Sequence, residues 1–150
     1  MGLDVIAVIS VIPAGETTLL SGEICLFQQP LKNKVLDASR DIVEFLCSSS
    51  TKYNLFIAAD VFIYLGDLAD IFRAVERRAA PGAYFVFSTE ITREENFVLQ
   101  KNGRFAHNRH HIQKLAGNCC FTVEVCRLAQ IREEYGQWIP GELFVFKCKL

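Results

Sequence analysis

The chain has 150 residues, of which 51% are hydrophobic, and its formal net charge is -1 at pH 7. This length and composition predict a single compact domain, residues 1–150. The 16 basic residues are balanced by 17 acidic residues. The chain therefore lacks the excess positive charge with which nucleic-acid binders displace counterions from phosphates, and nucleic acid is not indicated as a partner.

The cysteines and the N-terminal stretch indicate a reducing, cytoplasmic location. The chain is long enough to bury a core without disulfides, and its thiols fall mostly within apolar runs, so we expect reduced core thiols. They are Cys25, Cys47, Cys119, Cys120, Cys126 and Cys148. The N-terminal apolar run carries Asp4 rather than a basic residue and is too short to span a bilayer. We expect neither a signal peptide nor a membrane partner.

The first third of the chain contains one clear strand and one clear helix. Residues 3–12 are rich in Val and Ile and end at a Pro-Ala-Gly turn, which predicts a buried strand. The pattern of residues 19–36 is ambiguous between strand and helix and receives no assignment. Residues 39–47 combine a capping residue, Ser39, with an apolar face, and they predict a short helix.

Residues 53–70 form the centre of the predicted fold. Residues 53–60 are a nearly continuous apolar run that ends at Asp60, which is typical of a strand buried on both faces. Apolar residues at helical spacing predict a helix over 65–80, and residues 83–88 predict a second buried strand. Strand, helix and strand in this order predict a right-handed parallel crossover, which places Asp60 at the edge where α/β sheets bind ligands.

The remainder of the chain predicts a loop, a helix and a strand pair. Residues 91–110 are polar and irregular, and they predict a long loop that holds substrate. Residues 111–117 predict a helix with Ile112 and Leu115 facing the core. Residues 121–132 and 141–150 are strand-like and predict an antiparallel pair at the sheet edge, joined by residues 133–141 as a turn.

Several chemically active residue types have alternative interpretations. Asp60 suits a ligand site, but an Asp at this point is also a common helix N-cap. A cluster of His107, His110 and His111 precedes three cysteines, yet the spacing lacks a CxxC pair, and we predict no metal site. The same cysteines are too apolar to predict an activated nucleophile.

Four stretches together resemble a known family. They are DIVEFL (41–46), YNLFIAADVFIYLGDL (53–68), PGAYFVFSTE (81–90) and GRFAH (103–107). Their order and spacing resemble the C-terminal half of a class I S-adenosylmethionine-dependent methyltransferase, most closely the methyltransferase domains that accompany tetratricopeptide repeats. The resemblance covers residues 41–150. It implies an incomplete class I methyltransferase fold: an α/β, Rossmann-like, mostly parallel sheet with helices on its faces and an antiparallel C-terminal strand pair.

The resemblance also implies a cofactor, S-adenosylmethionine, and residues that contact it. The position matched by Asp41 contacts the adenine in such enzymes, with Ile42 beside the ring. Asp60 and the adjacent Val61 match the positions near the methionine end of the cofactor. The implied activity is methyl transfer to a small-molecule or protein acceptor. The alternative is a catalytically silent module of the same fold that binds a partner.

Two further residues match positions on the acceptor side. Tyr64 occupies a position that often lines the acceptor pocket, although a packed aromatic residue with a solvated hydroxyl is the simpler interpretation. His107 lies in the stretch that approaches the substrate. It is also the best available candidate for a general base, because no stronger base is present in the matching stretches.

Residues 1–40 depart from the family. The family's first strand leads into a glycine-rich loop and its second ends in an acidic residue for the ribose, whereas here Gly15 stands alone and Asp4 comes too early. Without the first strand, residues 55–59 would form an exposed apolar edge. We therefore predict that residues 3–12 pair with this edge; a partner chain that supplies or covers the edge is a further possibility.

Overall fold

The computed structural model describes residues 8–13, 38–50 and 52–149. Within them the chain forms seven strands and three helices. The strands are β1 (Val8–Pro13), β2 (Tyr53–Ala59), β3 (Ala79–Ile91), β4 (Phe97–Leu99), β5 (Phe105–His107), β6 (Phe121–Glu134) and β7 (Gln137–Cys148). The helices are α1 (Ala38–Ser48), α2 (Ala69–Arg78) and α3 (Arg109–Asn118).

All seven strands belong to one mixed sheet. The strands β1, β2 and β3 are adjacent in that order, and β3 then pairs with β7 along most of its length and with β5 at its carboxyl end. The β2–β3 and β3–β5 pairs are parallel, and the other four pairs are antiparallel. The α/β, Rossmann-like class and the antiparallel C-terminal pair are confirmed. The sheet is mixed rather than mostly parallel, because β1 and two hairpins add antiparallel pairs.

The predicted strand pairing at the N-terminus is confirmed for the described part of residues 3–12. Val8 lies opposite Ala59 and Ile12 lies opposite Leu55, so β1 covers the edge of β2. The pairing is antiparallel, which places the carboxyl end of β1 beside Tyr53, at the start of β2. Residues 3–7 and 19–36 lie outside the described residues.

The helices are placed as predicted, but their boundaries differ. Helix α1 already includes Ala38, so Ser39 lies within it rather than before it. Helix α2 begins at Ala69, four residues later than predicted, because Leu65 is extended and Asp67 Oδ1 accepts a hydrogen bond from Ala69 N at 2.9 Å. Residues 62–64 form a 3-10 turn instead. The helix ends at Arg78, and the Pro-Gly pair lies inside β3.

The polar stretch 91–110 is not one long loop. It contains the short antiparallel pair β4–β5 and the first residues of α3. Helix α3 is capped by Asn108, whose side chain accepts a hydrogen bond from His110 N. Ile112 and Leu115 are buried, as their spacing predicted. Strands this short escape a periodicity analysis because three residues are too few to show alternation.

A layer of aromatic rings joins the sheet to the helices. Phe72 of α2 is fully buried and lies against the rings of four phenylalanines on three strands, at centroid distances from 5.5 to 6.4 Å. They are Phe85, Phe87, Phe121 and Phe146. The three described helices contribute to this same buried cluster. The described helices therefore share one buried core with the sheet.

The cysteines in the described ranges are free thiols, and most of them belong to the core or pack against it. Of the cysteines in the described ranges, Cys148 is buried, Cys47 is exposed and the rest are half-buried. Cys148 belongs to the core, and Cys119, Cys120 and Cys126 pack against it, so among the described cysteines only Cys47 departs from the prediction of core thiols. Cys25 lies outside the described residues. None of the described helices is long and apolar enough to cross a membrane.

Candidate functional site

Asp60 lies at the carboxyl end of β2, immediately after the last paired residue. Its φ angle is 56°, a left-handed conformation that Asp adopts more readily than most residues. The backbone N–H of Asp60 donates to Ser88 Oγ at 3.3 Å, which ties the turn to β3. Neither following helix is capped by this side chain, so the N-cap interpretation is wrong. The Asp60 carboxylate is instead available for an interaction across the sheet edge.

That interaction comes from Arg132, near the end of β6. Arg132 Nη1 donates to Asp60 Oδ1 at 3.0 Å, and Arg132 Nη2 forms an ion pair with Glu90 Oε1. The Arg132 Nε donates to Glu134 Oε1 at 3.1 Å. The Arg132 guanidinium thus bridges three carboxylates, and each of them lies at or just after the end of a different strand. Asp60, Glu90, Arg132 and Glu134 are called the edge cluster below.

The edge cluster depends on the shape of the β6–β7 hairpin. Tyr135 and Gly136 have φ angles of 49° and 73° and form a two-residue turn, so the turn is shorter than the predicted residues 133–141. An irregularity between Gln130 and Arg132 shifts the register. Gly141 lies so close to Ile131 that a Cβ there would be 2.6 Å from its Cδ1. Sequence reasoning missed Arg132 because it lies 72 residues from Asp60.

The edge cluster borders a cavity of about 220 Å³. The lining residues are Glu90, Ile91, Gln100, Asn102, Arg132, Ile139 and Pro140. Gln100 Nε2 donates to Glu90 Oε2 at 2.8 Å, so both carboxylate oxygens of Glu90 have partners. This cavity therefore offers amide groups and a guanidinium beside a small apolar wall, which suits orientation of a polar ligand by hydrogen bonds.

His107 is at the end of β5 and is fully buried, whereas the sequence placed it in a loop facing the substrate. Its Nε2–H donates to the carbonyl oxygen of Gly66 at 3.0 Å. Burial lowers the pKa of His107 below the ordinary value of 6.5. The ring is therefore neutral at pH 7. It does not line the cavity beside the edge cluster.

His107→Gln should remove part of the protein's acid sensitivity. Because the folded-state pKa is lowered, the unfolded chain binds a proton first, and stability falls as the pH drops below 6.5 toward the folded-state pKa. Urea unfolding from about pH 5 to pH 8 should show a shallower pH dependence in the variant. His110→Gln, at an exposed residue, is the control. An equal slope in wild type and His107→Gln would contradict the buried neutral ring.

The other predicted site residues are not gathered at the edge cluster. Val61 is fully buried, and Ile42 packs against the core from α1. Tyr64 ends the 3-10 turn and is 37% exposed, and it does not line the cavity beside the edge cluster. The side chain of Asp41 lies outside the described residues. Their roles in binding remain predictions.

Metal-binding side chains are not clustered in the part of the chain that the structure describes. No group of three or more His, Cys, Asp or Glu residues there could hold a metal ion. His110 is exposed on α3, whereas His107 faces Gly66. These two members of the histidine cluster thus lie in different environments.

Solved structures share this arrangement of strands and helices. A S-adenosylmethionine-dependent methyltransferase from Methanosarcina mazei is 18% identical, with a TM-score of 0.56 over 70% of this chain and 65% of that one. The N-methyltransferase NodS from Bradyrhizobium japonicum, solved with S-adenosylhomocysteine, is 21% identical, with a TM-score of 0.53 over 73% and 52%. TehB from Haemophilus influenzae is 10% identical, with a TM-score of 0.54 over 71% and 39%.

These similarities concern the fold. No protein-family model matches the sequence, and no curated protein matches it either. The chain spans at most 65% of the length of these three structures. The described residues have a partial, Rossmann-like methyltransferase fold, with the edge cluster at the carboxyl ends of its strands.

Proposed function

We propose that this chain acts in S-adenosylmethionine-dependent methyl transfer to a small-molecule or protein acceptor. The observation that carries the proposal is the position of Asp60: it follows the strand of a methyltransferase-type sheet whose carboxyl end is the usual ligand edge of α/β folds. The edge cluster and the 220 Å³ cavity lie at that edge. In such a role, this chain's own residues orient the acceptor and exclude water.

The described residues fit the cofactor only in part. S-adenosylmethionine carries its transferable methyl on a sulfonium, and Asp60 with Val61 would lie at the methionine end. The family's glycine-rich loop follows a first strand that is parallel to its neighbour. Here β1 is antiparallel to β2 and delivers its carboxyl end to the opposite edge, beside Tyr53. The described residues therefore do not form that loop, and no reaction step is assigned to the cofactor.

Finer assignments follow from the sequence resemblance. Asp41 and Ile42 would contact the adenine, and Tyr64 and His107 would belong to the acceptor side. Because His107 is buried with a lowered pKa, its part would be to hold the loop at Gly66 rather than to take a proton. The relatives would be the domains that accompany tetratricopeptide repeats, and the location would be the cytoplasm. A partner chain would add to the outer edge of β1, which has one neighbour among the described strands.

A catalytically silent module of the same fold is the second candidate. Two observations favour it: β1 is antiparallel, and Arg132 already occupies Asp60 Oδ1. In this role the edge cluster is structural. The retained methyltransferase fold and the open cavity beside Glu90 favour the transferase.

Calorimetric titration with S-adenosylmethionine separates the two proposals. The transferase predicts a dissociation constant in the range of about 1–100 μM for the wild-type chain. Asp60→Asn should weaken binding at least about tenfold, and Asn tolerates the left-handed backbone at this position. The matched control is Asp70→Asn, because Asp70 is an exposed carboxylate on α2 that pairs only with Arg73 in the described structure.

Two results would refute the transferase proposal. No heat at millimolar S-adenosylmethionine, from a chain that unfolds cooperatively, supports the silent module. Equal weakening by Asp60→Asn and Asp70→Asn would show that Asp60 has no special part in binding.

A further inference from the structure

A second cavity, of about 360 Å³, lies on the helix side of the sheet at the carboxyl end of β3. It is lined by Ile91, Thr92, Arg93, Asn108, Arg109, His110, Leu128 and Glu142. Only Ile91 is shared with the cavity beside the edge cluster. Its volume is within the range of small-molecule sites.

The wall of this cavity contains a buried carboxylate that is only half satisfied. Glu142 of β7 is 1% exposed, and its Oε2 has no hydrogen-bond partner among the described residues. Thr89 lies directly opposite on β3, is 0% exposed, and its hydroxyl is also without a partner there. Buried polar atoms are nearly always paired, so two adjacent unpaired atoms indicate a missing hydrogen-bond donor.

Arg109, in the first turn of α3, closes over this carboxylate. Its guanidinium forms an ion pair with Glu142 Oε1, and its side chain is 43% exposed. The ion pair raises the pKa of the Arg109 guanidinium. Arg109 thus occupies Oε1, and Oε2 is the oxygen left for a cationic group of a ligand.

The rim of the cavity is basic and apolar. Glu142 is the only acidic residue in the lining, whereas Arg93 has no hydrogen bond or ion pair to any described residue and lies at the exposed rim. Ile91 and Leu128 are 36% and 68% exposed there. A cationic group at the buried wall and an anionic group at the rim would therefore both be stabilised.

We propose that this cavity binds a small zwitterion with an aliphatic body. Its primary ammonium donates to Glu142 Oε2, its carbon chain contacts Ile91 and Leu128, and its carboxylate pairs with Arg93. A primary ammonium fits because it combines hydrogen-bond donors with a positive charge for the buried carboxylate. The site is separate from the edge cluster and does not depend on methyl transfer.

Calorimetry with a graded series of amino acids tests this site. The probes are glycine, β-alanine, γ-aminobutyrate and 5-aminovalerate, which differ in the span between ammonium and carboxylate; butylamine and butyrate carry one charge each. One member of the series should bind at least about tenfold more tightly than either single-charge probe. Glu142→Gln should weaken the binding of that amino acid about tenfold or more, and Arg93→Gln should weaken its binding several-fold.

Two controls keep the result interpretable. Glu133→Gln changes an exposed carboxylate on β6, outside the cavity, and should leave the affinity unchanged. Arg93→Gln changes an exposed residue and tests the rim even if Glu142→Gln fails to fold. If no zwitterion exceeds butylamine and butyrate, or if Arg93→Gln binds like wild type, the proposal is overturned, and a buried water then explains the unpaired atoms.

Discussion

Arg132→Met should lower the free energy of unfolding by roughly 3–5 kcal/mol, the usual cost of removing one partner from a buried ion pair. The Arg132 and Glu90 side chains are 12% and 6% exposed, so solvent replaces the lost guanidinium only in part. Glu90 would keep only Gln100 as a donor. Methionine retains most of the aliphatic volume, so the effect reports the charge rather than a cavity. Urea unfolding of both proteins at one pH gives the difference.

Three variants separate the buried pair from the surrounding charges. Asp60→Asn should cost at most about 1 kcal/mol, because the Asp60 side chain is 46% exposed. Arg127→Met changes an exposed arginine on the same strand and should alter stability by less than about 0.5 kcal/mol. The double variant Arg132→Met/Glu90→Gln should regain part of the loss. A loss below about 1 kcal/mol for Arg132→Met would show that the edge cluster is not a buried ion pair.

Phe72→Ala should lower the free energy of unfolding by about 3–5 kcal/mol, as is usual for a buried phenylalanine. The ring is 0% exposed and contacts rings on three strands, so its removal leaves a cavity between α2 and the sheet. The surrounding rings belong to strands held by backbone pairing and cannot move in to fill it. Denaturant unfolding with far-ultraviolet circular dichroism measures the loss.

Phe45→Ala is the matched control for Phe72→Ala. Phe45 lies on α1 and is 51% exposed, so its truncation should cost less than about 1 kcal/mol. Similar losses for the two variants would contradict the placement of Phe72 at the centre of the aromatic layer.

Local patterns in the sequence determined much of the fold. The apolar run before Asp60, the helical spacing of Ile112 and Leu115 and the Val-rich stretch before Pro13 each gave a correct element. These patterns indicate which side chains are buried. Buried side chains recur every two residues in a strand and about every 3.6 residues in a helix, so a single segment is enough to show them. The resemblance of residues 41–150 added the order of the elements, which the solved methyltransferase structures share.

The direction of β1 required the tertiary structure. The composition of an apolar strand does not set the direction in which it pairs. The register shows that β1 is antiparallel, because β1 runs from a position beside Ala59 to a position beside Tyr53. That direction decides which edge its carboxyl end reaches. It therefore decides that the described residues do not form a glycine-rich loop beside Asp60.

The candidate sites also required the tertiary structure. The sequence by itself determined that Asp60 ends a buried strand. It did not show that Arg132 bridges Asp60 and Glu90, or that Thr89 faces Glu142. Such contacts depend on the register of strands far apart in the chain and on the turn at Tyr135 and Gly136, and a shift of one residue would send each side chain to the other face.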